Sequence, residues 1–439
     1  MKLTVIGCGY LGATHAAAMA ELGHEVLGMD IDPDKVAALN AGRAPFFERG
    51  LDELLAKHTA SGQLRFTTSY AETAAFADLH FIGVGTPQKP GEMAYDLTHL
   101  FAAARQLAPR LTGPAVIVGK CTVPVGTAPQ VIDILREFAP AGDQVEVCWN
   151  PEFLRESYAV EDTLHPDRIV LGFTRDGTRA EAVIRQAYGK IIESGTPVIV
   201  TDLATAELVK SAANAYLATK ISFINAMAEV CETSGADVQL LAEALGHDAR
   251  IGRRGMRPGL GFGGGCLPKD IRGFMARAGE LGADQALTFL REVDTINNRR
   301  RERMVDLARE QLDGVIKGKR ITVWGAAFKP DTDDIRDSPA LAVAQALHQA
   351  GATVTVFDPK ALDNARKAHP HLDYADHPIE AADGAELLLH LTEWPEFTRI
   401  DPADLATRVA IPRVIDGRGT LDPARWRAAG WTHRALGRP

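Results

Sequence analysis

The sequence predicts an α/β protein with two doubly wound parallel sheets, joined by a long helix and a helical middle domain. Three observations lead to this prediction. Short apolar runs alternate with helix-like segments over about the first 190 residues. An Ala-rich apolar stretch from residue 202 to about 234 is long enough for one extended helix, and a strand–helix–strand pattern restarts at residue 320.

A chain of 439 residues is too long for a single hydrophobic core. We therefore expect two or three domains, and the element pattern divides the chain into three. Residues 1–200 would form a dinucleotide-binding domain, 201–312 a helical domain for dimerisation, and 313–439 a second nucleotide-binding domain.

The first domain opens with a strand at Leu3–Ile6, a turn at Gly7–Gly12, a helix at Ala13–Leu22 and a second strand at Glu25–Asp30. This order is the context in which GxGxxG indicates a dinucleotide site of the Rossmann type.

Each glycine of the turn has a physical task. Gly7 would allow a tight turn, Gly9 would let the pyrophosphate approach the backbone, and Gly12 would let the helix pack on the strand. Asp30 is placed to bind the adenosine ribose hydroxyls and would repel a 2′-phosphate, which favours NAD over NADP.

Further strands are predicted along the first domain, at Leu79–Val84, Ala115–Val118, Val145–Trp149 and Arg168–Gly172, with a helix at Leu97–Leu111. Polar segments follow the strands at Gly85–Pro87, Lys120–Thr127 and Asn150–Glu156. The carboxyl ends of strands in an open α/β sheet face the ligand crevice, so these segments are candidates for the active site.

The long helix would end before Gly235 and serve as a domain connector and dimer interface. Lys210 and Asn214 lie four residues apart on it and share one face, where they could grip a sugar hydroxyl or polarise a water molecule. A pair on a solvated face is the alternative, although the surrounding helix is largely apolar.

The last domain has strands at Arg320–Gly325 and Thr353–Asp358 and a helix at Leu341–Gln349. It is a second Rossmann-like half without GxGxxG, because Gly325-Ala326-Ala327 forms its first turn. It is therefore expected to hold another nucleotide-like ligand rather than a second NAD.

Cys266 is the most informative residue of the chain, since it follows Gly263-Gly264-Gly265 and precedes Lys269. A thiolate can capture an aldehyde as a thiohemiacetal, which is oxidised to a thioester and hydrolysed to an acid. The alternative is a small buried cysteine in a glycine turn. Glycine neighbours and a lysine that would lower the thiol pKa favour catalysis.

Two more groups of charged residues are candidates. Glu152 and Glu156 would share a face if the chain is helical from Phe153 onward, and could supply a base for water activation; a helix-capping acid is the alternative. Arg250 belongs to a basic segment that could bind a diphosphate or sugar, or could be a solvated loop.

Composition excludes several classes of function. A formal net charge of −9 argues against a nucleic-acid or anionic-membrane surface. Five cysteines without a CxxC pair argue against a disulfide scaffold and imply no structural metal. With neither a signal-like segment nor a membrane-spanning apolar run, the protein is expected in the cytoplasm.

In combination, these motifs resemble the UDP-glucose/GDP-mannose 6-dehydrogenase family over the whole chain. The motifs that carry the resemblance are Gly7–Gly12, Asn150–Leu154, Lys210 with Asn214, Gly263–Asp270, and Phe328-Lys329 before Asp331-Thr332.

The resemblance implies a two-step oxidation of UDP-glucose to UDP-glucuronate by two NAD in a homodimer. The implied catalytic residues are Cys266, Lys210, Asn214, Asp270, Glu152 and Thr122. The implied cofactor contacts are Gly7, Gly9, Tyr10, Leu11, Gly12, Asp30, Lys35, Thr86, Thr122, Glu156, Lys269 and Arg336. The implied substrate contacts are Glu152, Phe153, Leu154, Lys210, Asn214, Arg250, Phe262, Gly263, Cys266, Phe328, Lys329 and Arg418, with Arg250 reaching across the dimer interface.

The chain departs from the family pattern at two positions. Gly265 stands where many members have serine, and Leu11 replaces the usual valine. Three alternatives remain open: another nucleotide sugar (GDP-mannose or UDP-N-acetylmannosamine), a one-step hydroxyacid dehydrogenase, and a non-catalytic NAD-responsive binding protein.

Overall fold

A computed structural model describes residues 1–174 and 178–438. Its described residues form two compact units, 1–213 with 272–282, and 214–271 with 283–439. Residues of the expected middle domain contribute to both units, and the domain boundaries at 200 and 312 remain predictions.

The first unit is built on a sheet of eight described strands in the order β3-β2-β1-β4-β5-β6-β7-β8. The strands are β1 (Lys2–Ile6), β2 (Glu25–Met29), β3 (Leu64–Thr67), β4 (Leu79–Ile82), β5 (Ala115–Gly119), β6 (Val145–Trp149), β7 (Ile169–Phe173) and β8 (Val198–Asp202). Neighbouring strands are parallel except β6 and β7, which are antiparallel. The predicted doubly wound sheet is confirmed, including β7 at the predicted Arg168–Gly172, and β3 and β8 are added at its two edges.

Helices flank this sheet. They are α1 (Tyr10–Glu21), α2 (Pro33–Asn40), α3 (Leu51–Ala60), α4 (Tyr70–Phe76), α5 (Thr98–Leu107), α6 (Thr127–Phe138), α7 (Ala159–Leu164), α8 (Thr178–Ala187) and α9 (Gly189–Glu193), with 3-10 turns at Ala108–Arg110 and Gly142–Gln144. The predicted start of the first helix at Ala13 was wrong, because the helix already begins at Tyr10 with Gly9 as its N-cap. The last glycine of the fingerprint, Gly12, therefore lies inside the helix.

Four long or medium helices follow: α10 (Leu203–Ser234), α11 (Val238–Gly246), α12 (Leu267–Glu280) and α13 (Thr288–Gln311), with a 3-10 turn at Asp284–Leu287. The long helix is confirmed, since α10 runs unbroken for 32 residues. Lys210 and Asn214 therefore lie one turn apart on one helix, as predicted.

The second unit contains a parallel sheet with the order β11-β10-β9-β12-β13-β14. Its strands are β9 (Arg320–Trp324), β10 (Thr353–Phe357), β11 (Asp373–Tyr374), β12 (Leu387–His390), β13 (Arg413–Asp416) and β14 (Thr432–Ala435). Its helices are α14 (Pro339–Gln349), α15 (Leu362–Ala368), α16 (Pro378–Ala381), α17 (Pro395–Arg399), α18 (Pro402–Ala406) and α19 (Pro423–Ala428). Trp324 stacks on Phe397 at 5.0 Å and contacts Trp426 edge-on in the core of this unit. The second Rossmann-like half is confirmed.

None of the helices in the described residues combines the length and the apolar character that crossing a membrane requires.

Candidate active site

The glycine turn after β1 has the geometry that a dinucleotide site requires. Gly7 has φ +87°, and a Cβ there would lie 2.7 Å from Cγ1 of Val84. A Cβ on Gly12 would lie 1.8 Å from the Gly7 carbonyl oxygen, so only glycine lets α1 pack this closely. A Cβ on Gly9, by contrast, would meet no atom within 4 Å. The space above Gly9 is thus open for a pyrophosphate, which fits NAD.

The N-terminus of α1 also suits a phosphate. Its N-cap is Gly9, no side chain caps it, and its first turn carries no acid. The first backbone N–H groups therefore remain available to an anion, which the helix dipole favours.

Asp30 follows β2 and is held by its own chain. Its carboxylate accepts hydrogen bonds from the backbone N–H of Cys8 (2.9 Å) and Asp32 (3.1 Å), and pairs with Lys35 Nζ at 3.0 Å. The structure thus brings together two of the predicted cofactor residues, Asp30 and Lys35. Oδ1, which accepts only the Asp32 N–H, can accept a further bond, as ribose recognition requires.

Two of the predicted cofactor residues meet at the ends of β4 and β5, where the Thr86 hydroxyl donates to the Thr122 carbonyl oxygen at 2.7 Å. Tyr10 OH accepts from the backbone N–H of Ser157 at 3.0 Å, which ties α1 to the segment after β6. Glu156 lies next to this contact and is buried.

The segment after β6 is not helical as far as residue 155, and the next helix begins at Ala159. The condition for Glu152 and Glu156 to share a helix face therefore fails. Instead, Oε1 of Glu152 accepts from the N–H of Phe153 (2.8 Å) and Leu154 (3.0 Å), so the carboxylate folds back on its own backbone.

Glu152 also meets a buried cation that the sequence analysis did not single out. Lys120 Nζ lies 3.0 Å from Oε2 of Glu152, 3.0 Å from Oδ1 of Asn150 and 3.3 Å from the Tyr188 hydroxyl. Burial raises the pKa of Glu152, but Lys120 and the two backbone N–H groups outweigh it, and the pKa lies below its ordinary value. Glu152 is thus ionised at neutral pH.

Phe153 connects this network to α10. Its ring lies 3.8 Å from the Arg168 guanidinium carbon and 5.7 Å from Lys210 Nζ, both measured to the ring centroid. The structure thereby places Lys210 beside the segment that carries Glu152. Lys210 is only 9% exposed, which excludes the solvated-face alternative.

Cys266 is the exposed member of the cysteine set, while Cys8, Cys121, Cys148 and Cys231 are buried. Its carbonyl oxygen accepts the first main-chain bond of α12, from the N–H of Asp270 at 2.9 Å. The thiol therefore stands at the N-terminus of a 14-residue helix, a position that stabilises a thiolate. The alternative of a buried structural cysteine is wrong.

One turn after Cys266, the carboxylate of Asp270 joins two other predicted residues. Its Oδ2 accepts from Asn214 Nδ2 and its Oδ1 from Lys269 Nζ, both at 2.6 Å. Asp270 is 1% exposed. The buried carboxylate is therefore ion-paired with Lys269, and its other oxygen orients the Asn214 amide.

The three glycines before Cys266 make room for the protein's own chain. A Cβ on Gly263 would lie 2.3 Å from the Asp337 carbonyl oxygen, and one on Gly264 would lie 2.8–3.0 Å from the ring of Phe328. A Cβ on Gly265 would lie 2.2 Å from Cζ of Arg336. The triplet therefore packs against residues 328–337, and the Arg336 guanidinium occupies the space that a side chain at Gly265 would need.

Residues that the sequence analysis missed hold the cysteine loop. Asn297 on α13 bonds both backbone groups of Phe262, accepting from its N–H at 2.8 Å and donating to its carbonyl at 2.9 Å. Arg301 pairs with Asp337 at 2.8 Å. A buried Asn and a partly buried Arg on a helix give no sequence motif, so only the folded chain identifies them.

Arg418 has its guanidinium against backbone carbonyls of Leu391 (2.7 Å), Gly261 (3.1 Å) and Phe328 (3.2 Å). It thus connects the cysteine loop to the segment of Phe328. Lys329 Nζ lies 5.8 Å from the Phe328 ring centroid. Arg250, by contrast, is 89% exposed and paired with Asp248.

Known proteins resemble this chain in both sequence and fold. Models of the UDP-glucose/GDP-mannose dehydrogenase family match residues 1–192 (NAD binding domain), 204–299 (central domain) and 322–423 (UDP binding domain). The UDP-glucose 6-dehydrogenase of Rhizobium meliloti (strain 1021) is 42% identical over 439 residues, covering 100% of both chains. That of Pseudomonas aeruginosa PAO1 is 38% identical, covering 100% of this chain and 98% of its own. The solved UDP-glucose dehydrogenase of Pyrobaculum islandicum is 36% identical, with a TM-score of 0.91 over 100% of this chain and 98% of its own.

The fold and the glycine turn, together with these matches, define an NAD-dependent oxidoreductase. More narrowly, the chain belongs to the UDP-glucose/GDP-mannose dehydrogenase family.

Proposed function

We propose that the protein oxidises the C6 primary alcohol of UDP-glucose to a carboxylate, giving UDP-glucuronate. In this reaction the alcohol, one water and two NAD+ give the carboxylate, two NADH and three protons. The observation that carries the proposal is the exposed thiol of Cys266 at the N-terminus of α12, in a chain that resembles UDP-glucose 6-dehydrogenases over its full length. When bound, NAD+ accepts the hydride in each oxidation.

The residues of the chain have separate tasks in this proposal. Lys210 stabilises the developing alkoxide and oxyanion, an electrostatic role typically worth a few kcal/mol. Cys266 adds to the aldehyde as a thiohemiacetal, whose oxidation leaves a thioester on its sulfur. Water, assisted by the ionised Glu152 and held by Thr122, hydrolyses the thioester and restores the thiol. Asn214 and Asp270 arrange the alcohol and the water.

Cofactor and sugar contacts extend the proposal. Thr86, Thr122 and Glu156 approach the nicotinamide half of NAD, with Arg336 and Lys269 as further contacts. Phe262, Phe328, Lys329 and Arg418 meet the nucleotide sugar. Two features support the cofactor assignment, namely the open space above Gly9 and the bonds that hold Asp30.

The proposal includes a homodimer in the cytoplasm. α10 supports a second copy as its partner, because it leaves Tyr216, Phe223 and Val230 exposed along its length. Arg250, exposed and held by Asp248, is then the residue that reaches the partner's sugar.

The stoichiometry of NADH formation tests this function. Limiting UDP-glucose with excess NAD+ should yield two NADH per sugar, while GDP-mannose and UDP-N-acetylmannosamine, run in parallel, should yield none. One NADH per sugar would exclude the thioester route, and turnover on another sugar alone would reassign the substrate.

A one-step hydroxyacid dehydrogenase would keep its turnover in Cys266→Ser, whereas we expect that variant to lose the second oxidation. Binding of NADH without turnover on any of the sugars would identify a binding protein instead.

A further inference from the structure

The end of β5 carries a lysine to which the proposed mechanism gives no task. Lys120 follows β5 directly and Asn150 follows β6, and their strands are paired up to Gly119 and Trp149. Both side chains therefore start from the same edge of the sheet. Lys120 is 6% exposed, so its charge needs compensation within the protein.

All three donors of this ammonium group have an acceptor. Lys120 Nζ lies 3.0 Å from Oε2 of Glu152, 3.0 Å from Oδ1 of Asn150 and 3.3 Å from the Tyr188 hydroxyl. This hydroxyl in turn donates to Asn150 Oδ1 at 2.7 Å. Asn150 is itself fixed, because its Nδ2 donates to the Val170 carbonyl oxygen at 2.9 Å. The lysine is therefore rigidly positioned, and it presents one donor to the carboxylate.

Glu152 is equally constrained. One carboxylate oxygen accepts two backbone N–H groups, and the other faces Lys120. Its side chain is 15% exposed, so only a small part of the carboxylate is open to a water molecule. Such a geometry restricts both the orientation and the charge of the group.

On this basis we propose that Lys120 is a positioning residue that keeps the Glu152 carboxylate ionised and oriented for thioester hydrolysis. The proposal rests on the proposed function, in which Glu152 assists the water. Lys120 acts through Glu152 and is not assigned a contact with the substrate.

The other groups around the pair do not titrate in the same range. Burial raises the pKa of Tyr188 and lowers that of His15, whose ring lies 6.4 Å from Tyr188, so both stay neutral near pH 7. Burial also raises the pKa of Cys148. Two further basic side chains, Arg168 and Lys210, lie over the ring of Phe153. Glu152 is thus the group whose ionisation Lys120 controls.

The test follows the Cys266-bound adduct by rapid quench and intact mass spectrometry, after UDP-glucose and NAD+ are mixed with enzyme at several pH values. The rate of adduct decay should fall at acid pH, where Glu152 becomes protonated. In Lys120→Met this acid limb of the pH profile should move up by roughly one to three pH units, the range for loss of a neighbouring opposite charge. At the pH of the wild-type limb, decay should slow at least about fivefold and should recover at higher pH. Lys120→Arg, which keeps the charge, should recover part of the decay rate at that pH. Lys57→Met, which removes an exposed lysine–carboxylate pair at Glu21, should leave decay unchanged.

Two comparisons make the proposal falsifiable. Slower decay by one factor at all pH values, or unchanged decay, in Lys120→Met would overturn it. If that variant does not fold, Lys120→Met/Glu152→Gln replaces the pair by neutral side chains. The adduct in this double variant should decay at a rate within about threefold of that in Glu152→Gln, since Lys120 acts only through the carboxylate. A decay rate more than about tenfold lower than in Glu152→Gln would contradict this.

Glu152→Gln also separates the two hypotheses. It should accumulate the adduct on Cys266 at every pH. If neither it nor the wild-type enzyme forms an adduct, the proposed thioester route itself is wrong, whatever Lys120 does.

Discussion

The turns after β1 and β9 occupy the same place in two sheets whose first six strands follow the same order. In both, the glycine N–H donates to the end of the neighbouring strand, from Gly7 to Met29 at 2.8 Å and from Gly325 to Phe357 at 2.7 Å. In both, an acid follows that strand. The two turns nevertheless differ in what they leave available to a ligand.

After β1, the helix begins at once and Asp30 accepts only one turn N–H, from Cys8. After β9, Asp358 accepts from the N–H groups of Ala326 (2.7 Å) and Ala327 (2.9 Å) and from the Trp394 indole (3.1 Å). The next helix of that unit starts only at Pro339. The same strand order thus yields one turn open to a dinucleotide and one turn whose acid is used by the protein itself.

The largest effect should come from closing the first turn. In Gly12→Ala the new Cβ would overlap the Gly7 carbonyl, so α1 must shift, and we expect NADH affinity to fall about a hundredfold, or about 2.7 kcal/mol. Fluorescence titration with NADH measures this. Ala327→Gly in the second turn is the matched control and should leave the NADH Kd unchanged. Wild-type affinity in Gly12→Ala would mean that the helix start does not hold the cofactor.

The second prediction concerns the acid of the other turn. Asp358→Asn turns an amide donor toward N–H groups that now donate to the carboxylate, so the free energy of unfolding should fall by about 2.5 kcal/mol. Urea denaturation checks it. The NADH Kd should change less than twofold, and a larger change would show that the second turn also contacts this cofactor.

The two sheets also differ at one buried position, which is a histidine in the first sheet and a leucine in the second. Thr4 on β1 faces His80 on β4, whereas the corresponding Thr322 faces Leu388. Burial lowers the pKa of His80 to about 4, below its ordinary value near 6.5. The unfolded chain therefore binds the proton first as pH falls, and stability is lost between about pH 6.5 and 4.

His80→Leu copies the second sheet and should remove this loss. Between pH 7.5 and 5, we expect the wild-type protein to lose about 2 kcal/mol more stability than His80→Leu, measured by urea unfolding at both pH values. Equal losses in the two proteins would show that His80 takes up its proton without unfolding.

The smallest effect should come from Asp30. Asp30→Asn keeps an acceptor for the Cys8 N–H but removes the charge, so the NADH Kd should rise about tenfold while NADPH binds relatively better. Parallel titrations with both cofactors measure the ratio. Because Asp30 accepts fewer N–H groups of its turn than Asp358, Asp30→Asn should lower the free energy of unfolding less than Asp358→Asn. A larger loss in Asp30→Asn would show that Asp30, too, is used mainly to hold its own turn.

Sequence reasoning predicted those parts of the molecule that local patterns determine. The fingerprint, the long α10 and the second sheet are each visible in contiguous residues, and all three are confirmed. The short strands β3 and β8 were missed, because four or five residues with mixed burial carry little periodicity. Their places are determined by pairing with β2 and β7.

The candidate site shows the same limit. Cys266 and Asp270 are marked by glycines and by spacing, but Lys120 acquires its role from partners 30 to 68 residues away. Asn297 holds Phe262 over a separation of 35 residues. Such long-range partners have no motif of their own, so only the folded chain reveals them.

The fit of the glycine triplet against residues 328–337 has a consequence for engineering substrate range. A side chain introduced at Gly263 would meet the main-chain carbonyl of Asp337, which no substitution removes, whereas one at Gly264 needs volume removed at Phe328. One at Gly265 needs only that the exposed side chain of Arg336 moves aside. Libraries of this loop should therefore keep Gly263, vary Gly264 together with Phe328, and can vary Gly265 alone.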